Sequence, residues 1–310
     1  MDYTSIRLST LRGDQKTEFD IYVQINEKMI LYLRQGDSFE GARLQKLKEK
    51  KLKKLYILQE NELSYRQYLD HNMNQAFDNK SGKDIKLRSE IVHGIQIACI
   101  EEVFDNPRDS EAYQKNKDMA AKYVQFLLTN EKAVASIMNI ENMDKNLAHH
   151  GISVSTYAVA LAHRLKSFSP EQIQIIALGS LLHDIGHIEH PDLFSIPESK
   201  MTAEQLLIHR KHPQLGTDKV QAEKHIEPDV IKIISQHEEC IDCSGYPMGL
   251  HETKIDPLSS LVTTCNVLDH LITIEGIPKN QACKKIMLDR VGRHPLAHIQ
   301  HLADIIREIC

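Results

Sequence analysis

The chain has 310 residues, of which 41% are hydrophobic and 26% are charged, with 13 glycines and 10 prolines. This length and composition exclude a small peptide, a disordered chain and a collagen-like fibre, and they fit one enlarged domain or two domains with buried cores. The formal net charge of -5 excludes a protein that wraps DNA or RNA through bulk positive charge.

Targeting and redox features are sparse in this sequence. Its apolar runs are shorter than the roughly 18 residues that a membrane-spanning helix needs, and its first residues lack the apolar core of a signal peptide. The six cysteines are too scattered for a disulfide framework and are interpreted as reduced thiols. We therefore expect a cytoplasmic protein without a membrane span.

The first 80 residues predict a small α+β domain with a regulatory or sensor-like role. Short runs rich in β-branched or alternating apolar residues predict antiparallel strands over residues 5–11, 19–25, 29–33 and 55–58. A leucine-and-lysine segment before the last strand and a stretch from about 62 to 73 predict helices. The polar, turn-rich residues 78–84 are the predicted linker.

From residue 85 to residue 310, apolar residues recur at intervals of three and four, which predicts one helix after another. The expected fold class is therefore mainly α, with a C-terminal helical bundle and the small N-terminal α+β domain. A capping-box pattern at Thr202 to Gln205 predicts the start of one helix, which we expect to run to about His212.

Histidines are concentrated in the second half, where 15 of the 17 lie between residues 149 and 301. Helical periodicity directs several of them, together with two carboxylates, toward the interior of the bundle: His150, His183, Asp184, His212, His237 and Asp269. Helical bundles build dinuclear metal sites from facing side chains in this way. Imidazole and carboxylate ligands without thiolate favour two divalent ions, iron or manganese, over structural zinc.

Three spaced motifs, LLHDIGH, KHPQLG and QHEECIDCSGYPMGL, resemble those of the HD-GYP family over roughly residues 140–275. This family of HD-domain proteins hydrolyses cyclic di-GMP. The resemblance implies that His150, His183, His212 and His237 bind metals, and that Asp184 bridges the two ions. Gly245, Tyr246 and Pro247 match the signature of the family and are expected to border the substrate.

Several positions depart from the family pattern. His187 stands where the family has a lysine near the substrate phosphate, so it is the expected phosphate contact and, with Asp184, a predicted catalytic residue. Asn146 stands where members with three metals carry a glutamate, which favours two metals. The last carboxylate ligand of the family aligns with Asn266, but Asp269 lies one helical turn later and its chemistry is better suited to a metal. We therefore predict Asp269 as the ligand.

The favoured hypothesis is a phosphodiesterase that converts cyclic di-GMP to pGpG or GMP through two metals and a bridging hydroxide. The alternative is a weakly active or inactive member that senses a cyclic dinucleotide or binds a signalling partner such as a diguanylate cyclase. A general HD phosphohydrolase acting on another phosphoester is the third possibility, against which the Gly-Tyr-Pro sequence argues.

Overall fold

A computed structural model describes residues 2–13, 15–39, 42–50, 52, 54–140 and 146–310. In this part of the chain the fold is mainly helical, with a small antiparallel sheet near the N-terminus. The predicted fold class is confirmed.

Two compact units divide the chain, the first reaching Ala98 and the second starting at Cys99. The division falls inside a helix, α3 (Ile85–Asp105), and not at the polar residues 78–84. The domain bounds of 1–80 and 85–310 stay a prediction.

The first unit is built on a four-stranded antiparallel sheet with the strand order β1-β4-β2-β3. Its strands are β1 (Tyr3–Arg7), β2 (Ile21–Ile25), β3 (Lys28–Leu33) and β4 (Lys54–Leu58). The turn residues between β2 and β3, Asn26 and Glu27, have φ values of 47° and 64°. Positive φ at both central residues is typical of the type I′ turn, whose twist matches that of two paired strands. The first strand is shorter than predicted because Leu8–Thr10 form a 3-10 turn.

Alternating side chains of these strands form the core of the first unit. Ile21, Leu55 and Ile57 are completely buried, and α1 (Ala42–Glu49) adds Leu44 and Leu47 to the same cluster. The helix α2 (Glu62–Phe77) contributes partly buried tyrosines. A fully buried aliphatic side chain contributes about 1.5–3 kcal/mol to folding, so this cluster stabilises the unit through its own interior.

The second unit is a bundle of helices that continues from α3. The remaining helices are α4 (Ser110–Thr129), α5 (Ala133–Met138), α6 (Leu147–Leu165), α7 (Pro170–Leu182), α8 (Pro191–Phe194), α9 (Ala203–His209), α10 (His212–Val220), α11 (Pro228–Gln236), α12 (Pro257–Thr273), α13 (Lys279–Asp289) and α14 (Leu296–Ile309). The predicted capping box at Thr202 forms, but α9 ends at His209 and α10 begins at His212. Pro213 explains the break, because proline lacks an N–H and its ring clashes with a preceding helical turn.

Two glycines set the close approaches on which the interior of the second unit depends. A Cβ atom on Gly151 would lie 2.8 Å from the carbonyl oxygen of Leu181, so the start of α6 packs directly against the end of α7. A Cβ atom on Gly186 would overlap the carbonyl oxygen of His212. The 3-10 turn Ile185–Glu189 therefore lies against the first turn of α10. Larger side chains at either glycine would separate these segments.

None of the helices in the described part of the chain combines the length and the apolar character needed to cross a membrane.

Candidate metal centre

Four histidines and one aspartate meet in the interior of the second unit, at the ends of four helices. His150 lies in the first turn of α6, His183 and Asp184 follow directly after α7, His212 opens α10, and His237 follows α11. All five side chains are buried, with 5% or less of their surface exposed. The predicted convergence of these side chains is present in the structure.

Asp184 lies at the centre of this cluster, and its two carboxylate oxygens face different histidines. Oδ2 lies 3.5 Å from Nε2 of His150 and 3.3 Å from Nε2 of His183. Oδ1 lies 3.3 Å from Nε2 of His212 and 3.4 Å from Nε2 of His237. The carboxylate therefore divides the cluster into two groups, each with two imidazoles and one oxygen, and each group has the composition of a metal site.

The other ring nitrogen, Nδ1, is held by the backbone in three of these histidines. The Nδ1 atoms of His183, His212 and His237 lie 2.7–2.9 Å from the carbonyl oxygens of Ser180, His209 and Ile234. Because a carbonyl oxygen only accepts hydrogen bonds, each Nδ1 donates its proton, so each ring in its neutral form presents a lone pair at Nε2. This arrangement is typical of metal-binding histidines, whose second nitrogen is fixed by a hydrogen bond.

The distances between the Nε2 atoms show whether these residues suit a bound cation. The Nε2 atoms of His212 and His237 are 2.8 Å apart, and those of His150 and His183 are 3.2 Å apart. With neutral rings, the lone pairs of His212 and His237 would repel each other in this buried place. A cation beside Asp184 would remove this repulsion, so the donor set fits divalent cations.

Burial and mutual contact shift the pKa values within the cluster. Burial by itself raises the pKa of the Asp184 carboxyl, but the adjacent histidines, His183 first, hold that pKa well below its usual range. Burial lowers the pKa of His183 and lowers that of His212 strongly. For His237, Asp184 outweighs the effect of burial and raises the pKa. A stably ionised carboxylate among imidazoles is the protonation state that a divalent cation requires.

Asp269 is buried beside His150. Its Oδ2 lies 2.7 Å from Nδ1 of His150, on the opposite side of that ring from Asp184, and it accepts a hydrogen bond of 2.8 Å from Thr273. This contact raises the pKa of His150, although burial alone lowers it. Asp269 lies one helical turn beyond Asn266 and contacts the ring nitrogen of His150 that does not face Asp184. Its role as a metal ligand stays a prediction.

Asn266, one helical turn before Asp269, contacts the other ring nitrogen of His150. Its Oδ1 lies 2.8 Å from Nε2 of His150, and its Nδ2 donates a hydrogen bond of 2.8 Å to Glu238. Because an ionised carboxylate only accepts hydrogen bonds, Glu238 fixes the amide so that its carbonyl oxygen faces the histidines. Asn146, where some family members have a ligand, instead caps α6 by accepting from the N–H of His149.

His187 is buried beside the cluster but is not a charged group. Its ring stacks on that of His212 with centroids 4.0 Å apart, and burial lowers its pKa to about 3. The ring is therefore neutral at physiological pH. His209, which sequence reasoning missed, lies against both rings at 4.9 and 5.3 Å. The spacing of three residues between His209 and His212 in the sequence could have identified His209 as a neighbour of the cluster.

The loop carrying Gly245, Tyr246 and Pro247 lies next to the histidines. The ring of Tyr246 meets that of His212 edge-on at 6.1 Å, and the guanidinium of Arg210 lies 5.4 Å from its centroid. Buried Glu239 holds the loop by accepting hydrogen bonds of 2.7 and 2.8 Å from the N–H groups of Met248 and Leu250. These contacts hold the loop beside His212, and its place beside a substrate stays a prediction.

Comparison with known proteins points to one family. The HD domain model matches residues 115–291. The HDG"Y"P protein Bd1817 from Bdellovibrio bacteriovorus has a solved structure with 53% sequence identity and a TM-score of 0.92, covering 99% of this chain and 100% of that one.

Curated relatives include a cyclic di-GMP phosphodiesterase, PA4108 of Pseudomonas aeruginosa, with 27% identity over 60% of this chain and 46% of its own length. Another is a 3'3'-cGAMP-specific phosphodiesterase of Vibrio cholerae, with 28% identity over 52% of this chain and 32% of its own length. This chain therefore spans less than half the length of either curated relative. Together with the buried His-Asp cluster, these matches show that the chain belongs to the HD-GYP family of HD-domain proteins.

Proposed function

We propose that the second unit is a metal-dependent phosphodiesterase that opens cyclic di-GMP by hydrolysis. This proposal rests on the position of the Asp184 carboxylate, whose two oxygens each face a different pair of imidazoles. The names of the relatives support a cyclic dinucleotide as the substrate class.

Two groups of residues are proposed to hold the two ions. His150, His183 and Asp184 hold one ion, and Asp184, His212 and His237 hold the other. Mixed imidazole and carboxylate ligation suits Fe²⁺ or Mn²⁺. When bound, such a pair polarises the phosphodiester and activates the attacking water.

The reaction consumes one water for each bond broken. The water oxygen forms a bond to phosphorus, the bond from phosphorus to the 3′ oxygen breaks, and the leaving oxygen takes a proton, so the ring opens to linear pGpG. A second hydrolysis gives two molecules of GMP. The Nδ1 hydrogen bonds of His183, His212 and His237 fix these rings, so that their Nε2 atoms would be available to hold the ions. The loop Gly245–Pro247 borders the substrate, with the guanidinium of Arg210 beside Tyr246.

The test is product analysis on the full chain loaded with Mn²⁺ or, without oxygen, Fe²⁺. Chromatography should detect pGpG and GMP from cyclic di-GMP, and Asp184→Asn should lower the rate at least about a hundredfold, because both ions lose their shared ligand. Asp289→Asn, an exposed aspartate on α13 that pairs with Lys285, is the matched control and should keep the rate. Equal rates in wild type and Asp184→Asn would refute the proposal.

The second candidate is a cyclic dinucleotide sensor, or a docking protein for a partner such as a diguanylate cyclase, with little turnover. It is favoured by the neutral, buried His187 at the position of the family's lysine, because a neutral ring attracts a phosphate less than an ammonium does. Calorimetry with cyclic di-GMP separates the two functions. Binding without products by metal-loaded protein would establish the sensor, and neither binding nor products would refute both.

A further inference from the structure

A third group of possible ligands lies beside the proposed pair and contains no carboxylate. His187, His209 and His212 each offer one ring nitrogen, and these three atoms all lie within 4.8 Å of one another. The residues come from three consecutive segments: the 3-10 turn after α7, the last position of α9 and the first position of α10. All three rings are buried.

His209 supplies the observation that points to a ligand. Its Nδ1 is buried and has no hydrogen-bond partner among the described residues. Its Nε2 lies 3.8 Å from the carboxylate of Glu198, which is too long for a hydrogen bond but places a negative charge at the edge of the group. A buried polar atom without a partner is destabilising, and a cation bound at this nitrogen would satisfy it.

The ligand chemistry distinguishes this group from the proposed pair. Three imidazoles without carboxylate favour ions that prefer nitrogen, and among the first-row divalent ions Cu²⁺, Ni²⁺ and Zn²⁺ bind nitrogen more tightly than Mn²⁺ or Fe²⁺ do. The side chain of Glu198 is 38% exposed, so a surface carboxylate borders His209.

His212 belongs both to this group and to the group of Asp184 and His237. Its Nδ1 is committed to the carbonyl oxygen of His209 at 2.8 Å, so only the lone pair on Nε2 remains for a metal. One lone pair binds one ion. An ion held by His187, His209 and His212 therefore removes a ligand from the neighbouring position.

We propose that His187, His209 and His212 form a second, all-nitrogen cation position that takes Zn²⁺ and competes with the Asp184 position for His212. The position itself depends only on these three residues. The competition rests on the proposed metal pair.

The first measurement is the affinity of the full chain for Zn²⁺, obtained by competition with a chromophoric chelator. His209→Phe should weaken one class of zinc sites at least about tenfold, since changes even to residues behind a ligand typically weaken metal binding 10–100-fold. His187→Phe should have the same effect. His163→Phe, at an exposed histidine of α6, is the matched control and should keep the wild-type isotherm.

The thermal unfolding midpoint of the metal-free proteins separates ligand loss from misfolding. Because Nδ1 of His209 has no partner, a phenylalanine of similar shape should leave this midpoint unchanged or raise it. The same zinc isotherm in wild type and folded His209→Phe would overturn the proposal. If His209→Phe failed to fold, His187→Phe would decide by the same criterion.

The second measurement follows Mn²⁺ released into solution by electron paramagnetic resonance. In Mn²⁺-loaded wild type, one Mn²⁺ should leave for each Zn²⁺ bound at the new position, and His209→Phe should release it only at zinc concentrations at least about tenfold higher. Zinc binding that depends on His209 but releases no Mn²⁺ would overturn the competition. Failure of wild type to bind Mn²⁺ would refute the proposed pair, while the zinc comparison would still decide the new position.

Discussion

The substitution Asp269→Asn tests whether Asp269 binds a metal ion itself or supports the proposed ligand His150. The Asp269 carboxylate accepts a hydrogen bond from Nδ1 of His150 at 2.7 Å and one from Thr273 at 2.8 Å, and it is almost completely buried. Asparagine keeps the size and one acceptor oxygen but removes the charge. The substitution should therefore weaken the support of His150 without removing a ligand from the proposed pair.

The expected magnitude follows from this contact. A hydrogen bond to a charged group contributes about 1.5–3 kcal/mol, and a neutral hydrogen bond is about half as strong. The loss is therefore about 0.75–1.5 kcal/mol, which corresponds to a roughly 3–12-fold weaker affinity for one ion. At saturating metal, the protein should still bind two ions per chain.

Metal titration against a chelator, followed by elemental analysis of the saturated protein, measures both quantities. A pH near 8 limits proton competition for the imidazoles. Asp289→Asn is again the control and should match wild type. A saturated stoichiometry of one ion in Asp269→Asn would refute the reasoning, because it would make Asp269 a ligand. An unchanged affinity would refute the supporting role.

Three further predictions concern the surroundings of the site. Gly186→Ala should lower the free energy of unfolding by about 1–3 kcal/mol, because the Cβ of the alanine would overlap the carbonyl oxygen of His212. Urea unfolding measures this free energy, and a wild-type value would contradict the close approach. Glu239→Gln should speed hydrogen exchange at the amides of Met248 and Leu250, because it removes a charged acceptor; exchange rates equal to wild type would show that the carboxylate does not hold the loop. Burial lowers the pKa of His294 to about 4, with help from Arg290 and Arg293, so between pH 4 and 6.5 the unfolded chain binds a proton that the folded chain does not. The free energy of unfolding should therefore fall as the pH decreases below 6.5, and His294 should contribute about 1.4 kcal/mol of this loss at pH 5.5. Urea unfolding of His294→Gln should show less acid destabilisation than that of wild type. Equal pH dependence of the two proteins would exclude His294 as the cause.

Local sequence was sufficient for features that depend on neighbouring residues. The turn at Asn26 and the capping box at Thr202 form because each uses atoms only a few residues apart. Helical periodicity also identified the inward histidines, since a residue in a helix shares its face with residues three and four positions away. The break between α9 and α10 was missed, although Pro213 carried the signal.

The sequence by itself determined which side chains face the interior of the bundle and which chemistry they bring to it. Tertiary structure decided which atoms of those side chains meet. Asn266 and Asp269 lie one turn apart on α12, and only the packing of α12 against α6 places the amide at Nε2 of His150 and the carboxylate at Nδ1. The packing of three segments likewise brings His209 to His187 and His212. Periodicity gives the direction of a side chain, but the distance and rotation between helices depend on contacts, such as those of Gly151 and Gly186, that join residues far apart in the chain.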